Sequence, residues 1–420
     1  MTPLAMKLIW FSHFLPYPPV GGAAQRSYHL IRQAAQRHPL VLVLLNPRPG
    51  RVNEQEALRA FRPWCAEIHL WSAPYRWKGA RWWLGMAASV FQSVPFNCRA
   101  LWSPALESRW RQLLEKHPDA LVHFDSTDLA LYFPATHGRR AVLNHHNCES
   151  AMAQRRAELE PNPFKKAYLF LYAQRLARVE AHWCRRFATN LVVSERDGWL
   201  LSRNCPEAHI HVVANGTDTE YFSPPATEPE RGIAIFAASF GWYPNLSAAR
   251  YLQEIWPHVE RQWPGARLYL VGKTPPRFLH AWAERNSNIT VVANPPDVRP
   301  WMARAAVFVC PVRDGGGTRL KILDAMAQGK AVVSTSVGCE GLDVTDGENI
   351  LIADDPERIA AAVVRLWKDD ALRRQIARAG RELVERRYSW HKIGEDLHCA
   401  YQCAGVGCPR QNAPDDTMRG

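Results

Sequence analysis

Residues 313–341 read RDGGGTRLKILDAMAQGKAVVSTSVGCEG, with three consecutive glycines, Gly315, Gly316 and Gly317, running into a helical pattern. A glycine loop lets a ligand approach the backbone closely. The first amides of the helix behind it have no partners inside the helix, and with the helix dipole they favour a phosphate. Arg319 and Lys321 stand near that helix start, where cations oppose the dipole. Their presence makes sense if a diphosphate lies between them and the helix. Asp324, seven residues after Gly317, is a mediocre mid-helix residue beside Leu323, Ala325, Met326 and Ala327. It is therefore expected to be buried about two helical turns in and to need a partner. A carboxylate suits the paired hydroxyls of a sugar. Gly-rich turns also join strands to helices without binding anything, so the glycines alone do not decide.

His146, read as the end of a strand in NHHNCES, is the second candidate. Successive strand residues face opposite sides, so one of His145 and His146 faces a ligand and the two are not a metal pair. Histidine handles protons and hydroxyls near neutral pH. A second glycine turn, Gly21 and Gly22, follows the first strand.

The elements that must position these groups alternate. KLIWFSHFLPYPPVGGAAQRSYHLIRQAAQRHPLVLVLLN reads as a βαβ unit, with further strands at 120–124, 141–146 and 190–194. A turn pair, Asn215-Gly216, and a Pro- and Glu-rich linker follow. Strands IAIFAAS, ARLYLVG, ITVVA, AVFVCP and AVVST then alternate with helices, and 355–403 is helical by periodicity. The reading is an α/β chain of two doubly wound domains: residues 1–215, a linker 216–232, a second domain 233–388, a helix 389–403, and a disordered tail 404–420. Parallel sheets bind ligands at the carboxyl ends of their strands, and two such domains imply a cleft where a phosphorylated ligand meets a second substrate.

A length of 420 residues fits two domains. Hydrophobic residues at 47% and charged residues at 22% are typical of a soluble globular protein. No apolar run approaches the ~20 residues that span a bilayer. No secretory signal is expected, since a strand-like run from Lys7 meets prolines at once; Met6 is expected to open the ordered chain. The ten cysteines lack a repeating spacing and read as reduced thiols of a cytosolic protein, Cys184 and Cys310 in apolar runs. Cys399, Cys403 and Cys408 read as a helix face followed by a loose tail.

Net charge is +12 and uneven: residues 1–220 hold 27 Lys+Arg against 17 Asp+Glu, the remainder 25 against 23. Such a basic half suits nucleic acid, an anionic membrane or phosphorylated ligands, but no nucleic-acid module is recognisable. The Trp- and Arg-rich stretch 71–96 reads as an irregular helical insert packed on the core, or as one or two helices whose aromatic residues face a membrane interface or a partner groove. A dinucleotide oxidoreductase fits poorly, because no G-x-G-x-x-G follows the first strand.

Taken together, PYPPVGGAAQRSYHLI, NHHNCES, VVANGTDTEYFSP, FGWYPNLSAARYLQEIWP, DVRPWMARAAVFVCPVRDGGGTRLKILDAMAQGKAVVSTSVGCEGLDV and RRYSW resemble the retaining glycosyltransferases of family four, from about residue 7 to 403. The resemblance implies the GT-B architecture, two Rossmann-like domains facing a central cleft, with the C-terminal helix crossing back toward the N-terminal domain. It implies a nucleotide-diphosphate sugar as donor, a glycan or lipid-linked hydroxyl as acceptor, no cofactor, no divalent metal and no nucleic acid. It places Gly21, Gly22, Gly316, Gly317, Thr318, Arg319, Lys321 and Asp324 around the donor, and His146 and Lys321 in catalytic roles. Glu149 and Arg155 fall on the acceptor side, and Asn215, Gly216 and Asp218 enter the hinge.

The first acid of the family's E-x7-E motif falls at Gly316 and is missing, and the second is Asp324 rather than Glu. The common Arg…Lys pair after the second domain's first strand is also replaced, by SFGWYPN. The phosphates are then expected to rely on Lys321, Arg319 and backbone amides. A cytoplasmic enzyme of cell-surface polysaccharide biosynthesis is expected, with an anionic inner membrane face as candidate partner. The alternative is a non-catalytic nucleotide-sugar or glycan-binding component of a polysaccharide assembly complex.

Overall fold

A computed structural model describes residues 5–46, 54–74 and 96–406. The chain divides into two compact units, residues 1–214 with 393–420, and residues 215–392.

Among the described residues, unit 1 holds β1 (Leu8–Ser12), β2 (Leu40–Asn46), β3 (Glu67–Ser72), β4 (Leu121–Phe124), β5 (Ala141–Asn144), β6 (Thr189–Val192) and β7 (Ile210–Val212). They form one parallel sheet in the order β3-β2-β1-β4-β5-β6-β7. β2, LVLVLLN, is buried at every position, as expected for a parallel strand covered on both faces. The strand order reverses at β1, which pairs with both β2 and β4. Ligands of open α/β sheets bind beside such a reversal, outside the carboxyl ends of the strands. The register Phe11↔Phe124 and Phe124↔Leu143 carries Ser12, Asp125 and Asn144 to that edge together.

Unit 2 holds β8 (Glu230–Ala237), β9 (Arg267–Gly272), β10 (Ile289–Ala293), β11 (Ala305–Cys310), β12 (Ala331–Ser334) and β13 (Leu351–Ile352), parallel in the order β10-β9-β8-β11-β12-β13. The reversal here lies between β8 and β11, so the segments after these strands, 238–242 and 311–319, share the carboxyl edge. The final helix, Trp390–Val406, passes into unit 1 from Ile393. Ile393, Leu397, Ala400 and Tyr401 recur at helical spacing and are fully buried. Tyr401 Oη lies 2.9 Å from His123 Nδ1, and His398 Nδ1 3.1 Å from His38 Nε2.

Several expectations change. β3 was not anticipated; its alternating EIHLWS runs into the aromatic stretch that follows and lacks a turn residue to bound it. β5 stops at Asn144, so His146 lies two residues beyond the strand. β8 starts at Glu230, inside the expected linker. The helix bearing Asp324 starts at Leu320, so Asp324 is one turn in rather than two. The final helix continues to Val406, so residues 404–406 of the expected tail are helical; residues 75–95 of the Trp-rich stretch, Cys408 and the rest of the tail from 407 lie outside the described residues. Among the described residues no helix is long and apolar enough to cross a membrane.

Candidate functional site

In unit 2 the segment after β11 turns on Gly315 at φ +102° and Gly317 at φ +66° before the helix Leu320–Ala327. These backbone angles favour glycine. A Cβ on Gly315 would also stand 3.0 Å from the ring of Pro244. The Gly315 amide donates to Asp314 at 2.6 Å, whereas the amides of Gly316, Gly317 and Thr318 have no hydrogen-bond partner among the described residues. The Arg319 guanidinium folds back onto the carbonyls of Asp314, Gly316 and Gly317. It braces the turn from within.

Lys321 reaches Asn245 Oδ1 and lies 4.8 Å from the centre of the Phe236 ring. Burial holds its ammonium down at about 8. Asp324, at i+3 on the same helix face, accepts from Thr217 Oγ1 at 2.6 Å. Burial pushes its carboxyl up to about 7, with Asp218 adding to the rise and the Thr217 bond opposing it. Asn215 donates to Thr318 Oγ1 at 2.8 Å, so the segment 215–217 supports both ends of the helix start. Amides unpaired among the described residues, together with one ammonium and one carboxylate, can hold a diphosphate and a sugar hydroxyl.

In unit 1, His146 Nε2 lies 2.9 Å from the main-chain oxygen of Asp125, beside the rings of His13 and Phe14. Burial, the Arg26 charge and His145 hold His146 down at about 3, and burial with His146 holds His13 at about 4. Values held so far below neutrality suit His146 to hydrogen bonding rather than to storing a proton at pH 7. His145 turns the other way, to Asn190 and Cys184. Among the described residues, His13, Asp125 and His146 are the group that could hold a metal, with ligand atoms within 4.8 Å of one another. The Asp125 carboxylate already accepts from Ser12, Ser27 and Asn144, so a cation there would compete with three donors.

The Glycosyltransferase Family 4 profile matches residues 20–221, and the Glycosyl transferases group 1 profile matches residues 231–369. The chain belongs to the family 4, group 1 glycosyltransferases. This glycosyltransferase is 25% identical to the lipopolysaccharide core biosynthesis mannosyltransferase LpcC of Rhizobium leguminosarum, over 69% of its own length and 84% of the relative's. It is 26% identical to the phosphatidyl-myo-inositol mannosyltransferase of Mycobacterium tuberculosis over 48% of its length. The matched stretches span 39% of an uncharacterized Klebsiella pneumoniae protein of a cps region and 56% of the mycobacterial enzyme. Sucrose-phosphate synthase from Thermosynechococcus elongatus superposes with a TM-score of 0.70 at 18% identity, covering 94% of this chain and 98% of that one. Anabaena HepE in complex with UDP gives 0.66 at 15% identity, covering 93% and 98%. At such identities these two show the fold, which is GT-B.

Within the glycosyltransferase, Gly316, Gly317, Thr318, Arg319, Lys321 and Asp324 share one loop and helix start in unit 2. In unit 1, Gly21, at φ +96° with open space around it, precedes the helix Gly22–Ala35. The Arg26 and Ser27 side chains of that helix reach Asn144 and Asp125. Glu149 opens the helix Glu149–Glu158, where burial and Asp128 push its carboxyl up to about 7. Arg155 lies half-buried on the same helix. Sequence reasoning missed Asn245, Thr217, His13, Asp125 and Arg26. Asn245, Thr217 and Arg26 stood inside quoted motifs; for His13 and Asp125 no local signal existed, because their partners are set by strand order.

Proposed function

We propose that this glycosyltransferase moves a sugar from a nucleotide-diphosphate sugar to a hydroxyl of a glycan or lipid-linked acceptor, with retention and without a divalent metal. The observation that carries the reading is the braced glycine turn of unit 2. Its three amides, without hydrogen-bond partners among the described residues, stand directly before a helix that presents Lys321 and Asp324 one turn apart. As the donor bond breaks, negative charge grows on the leaving diphosphate; fixed amides and an ammonium stabilise that charge more than the ground state. Asp324 suits the nucleotide's sugar hydroxyls. His146, Glu149 and Arg155 of unit 1 are assigned to the transferred sugar and acceptor by family resemblance. The mannosyltransferase and lipopolysaccharide names of the relatives, with the basic N-terminal half, support cell-surface polysaccharide or lipid glycosylation at an anionic inner membrane face.

A melting panel of UDP-, GDP-, ADP- and dTDP-sugars tests the donor site, because a ligand that binds the folded state alone raises Tm by mass action. The donor that shifts Tm is then assayed for transfer with chelator present, and the anomer of the product is read by NMR. Binding without turnover on any acceptor would assign the chain to the non-catalytic alternative. Turnover lost with chelator would refute metal independence.

A further inference from the structure

His146 Nε2 faces a main-chain carbonyl at 2.9 Å, and a carbonyl only accepts, so Nε2 carries the proton. Its Nδ1 is buried with no hydrogen-bond partner among the described residues. We propose that Asp125 and Arg26 are positioning residues that lock His146 as the Nε2–H tautomer, keeping the Nδ1 lone pair to accept a hydroxyl of the bound sugar. The assignment to a sugar hydroxyl rests on the proposed function; the lock does not.

The lock is a continuous buried chain. Asp125 Oδ2 accepts from Ser12 at 3.0 Å and Ser27 at 2.7 Å, and Oδ1 accepts from Asn144 at 2.9 Å. Donors from β1, β5 and the helix Gly22–Ala35 thus hold the Asp125 side chain from three sides, and the backbone bearing its carbonyl is tied to β1 by the Asp125 amide donating to the Phe11 oxygen at 2.9 Å. Asn144 has two faces, and either could meet the carboxylate. Arg26 decides which: its Nε and Nη2 donate to Asn144 Oδ1 at 3.2 and 2.8 Å, so the amide NH2 must face Asp125. Arg26 is anchored in turn by Nη1 bonds to the carbonyls of Val213 at 2.8 Å and Ala214 at 3.0 Å. Arg26, Asp125 and Asn144 are all essentially inaccessible. In so dry a place an unmatched donor or acceptor is costly, so the network has one arrangement.

The test uses the full chain labelled with 15N-histidine. Long-range 1H–15N spectra between pH 6 and 8 report each ring's tautomer, and the His146 signal is identified by its loss in His146→Gln. The expected wild-type pattern has Nε2 protonated and Nδ1 bare. In Asp125→Asn and Arg26→Lys the Nδ1–H form should rise from undetectable to a substantial share. The same variants should lose kcat with little change in donor KM, and circular dichroism should report a folded chain. Should either fail to fold, Ser27→Ala, which removes one of the three donors, is read instead and should show a smaller redistribution. A wild-type ring that is Nδ1–H or doubly protonated at pH 7 overturns the proposal. So do folded variants that keep the wild-type pattern, and so does one equivalent of Zn2+ that moves the His13 and His146 signals together. If the tautomer is as stated but no sugar is transferred, the proposed function fails and the lock stands.

Discussion

The hydroxyl of Thr217 donates to the carboxylate of Asp324 across 2.6 Å, joining residues 107 apart in the chain. That bond opposes the burial that raises the Asp324 carboxyl to about 7, and so keeps a usable share of it ionised at neutral pH.

Donor binding should therefore be strongest between about pH 7 and 8. Below about 7, Asp324 takes up a proton and loses acceptor capacity toward hydroxyls. Above about 8, Lys321, held down by burial with Arg319 adding and Cys310 opposing, loses its charge. Calorimetry across this range should show affinity falling on both sides. Thr217→Val should move the acid limb upward by removing the one bond that lowers the Asp324 value. An affinity independent of pH from 6 to 9 would remove both residues from the donor site.

Lys321→Ala should lower kcat by at least ~10²-fold, the usual loss when one fixed donor to developing charge is removed. Its stability cost should be small, about 1 kcal/mol for the acceptor of Asn245 left unpaired, because a half-buried ammonium is itself poorly solvated. Wild-type rates in the folded variant would refute the role.

Gly315→Ala should cost about 1–3 kcal/mol and weaken donor binding, since φ is +102° and the new methyl meets Pro244. Gly21→Ala, also at positive φ but in open space, should show the backbone cost without the clash. Chemical denaturation of the two variants checks the difference.

Acid should loosen unit 1 before unit 2. His13, His145 and His398 stand near 4 and His146 near 3 in the folded chain, against ~6.5 unfolded. The stability they lend is complete above that unfolded value and is lost as pH falls toward 4. Asp128 and Glu149, raised to about 6 and 7, act in the opposite sense in unit 1 but are fewer. In unit 2 Asp324 also acts in the opposite sense. Hydrogen exchange at pH 5 and 7.5 should show protection lost first around β1, β4 and β5; equal loss in both units would contradict these assignments.

The sequence by itself determined the βα alternation, the boundary near Asn215, the glycine turns and the family. These are local signals: fully apolar runs such as LVLVLLN mark parallel strands, glycines mark turns, and a helix repeats at short range. It offered the candidate donor-side residues as a linear block because loop and helix start are contiguous. It misjudged β3, whose alternating pattern merges with the aromatic run behind it, and the end of β5, since HH continues an apolar strand without a breaker. Only the tertiary structure decided which way Arg319 turns, that Asn245 holds Lys321, that Thr217 meets Asp324, and that Asp125, Asn144 and Arg26 converge on His146. Apart from Arg319, whose carbonyl partners lie two to five residues away, these partners lie tens to almost two hundred residues apart, and what brings them together is the order in which strands pair. That order is fixed by burying two faces of a sheet at once, a property of the whole chain that no short window contains.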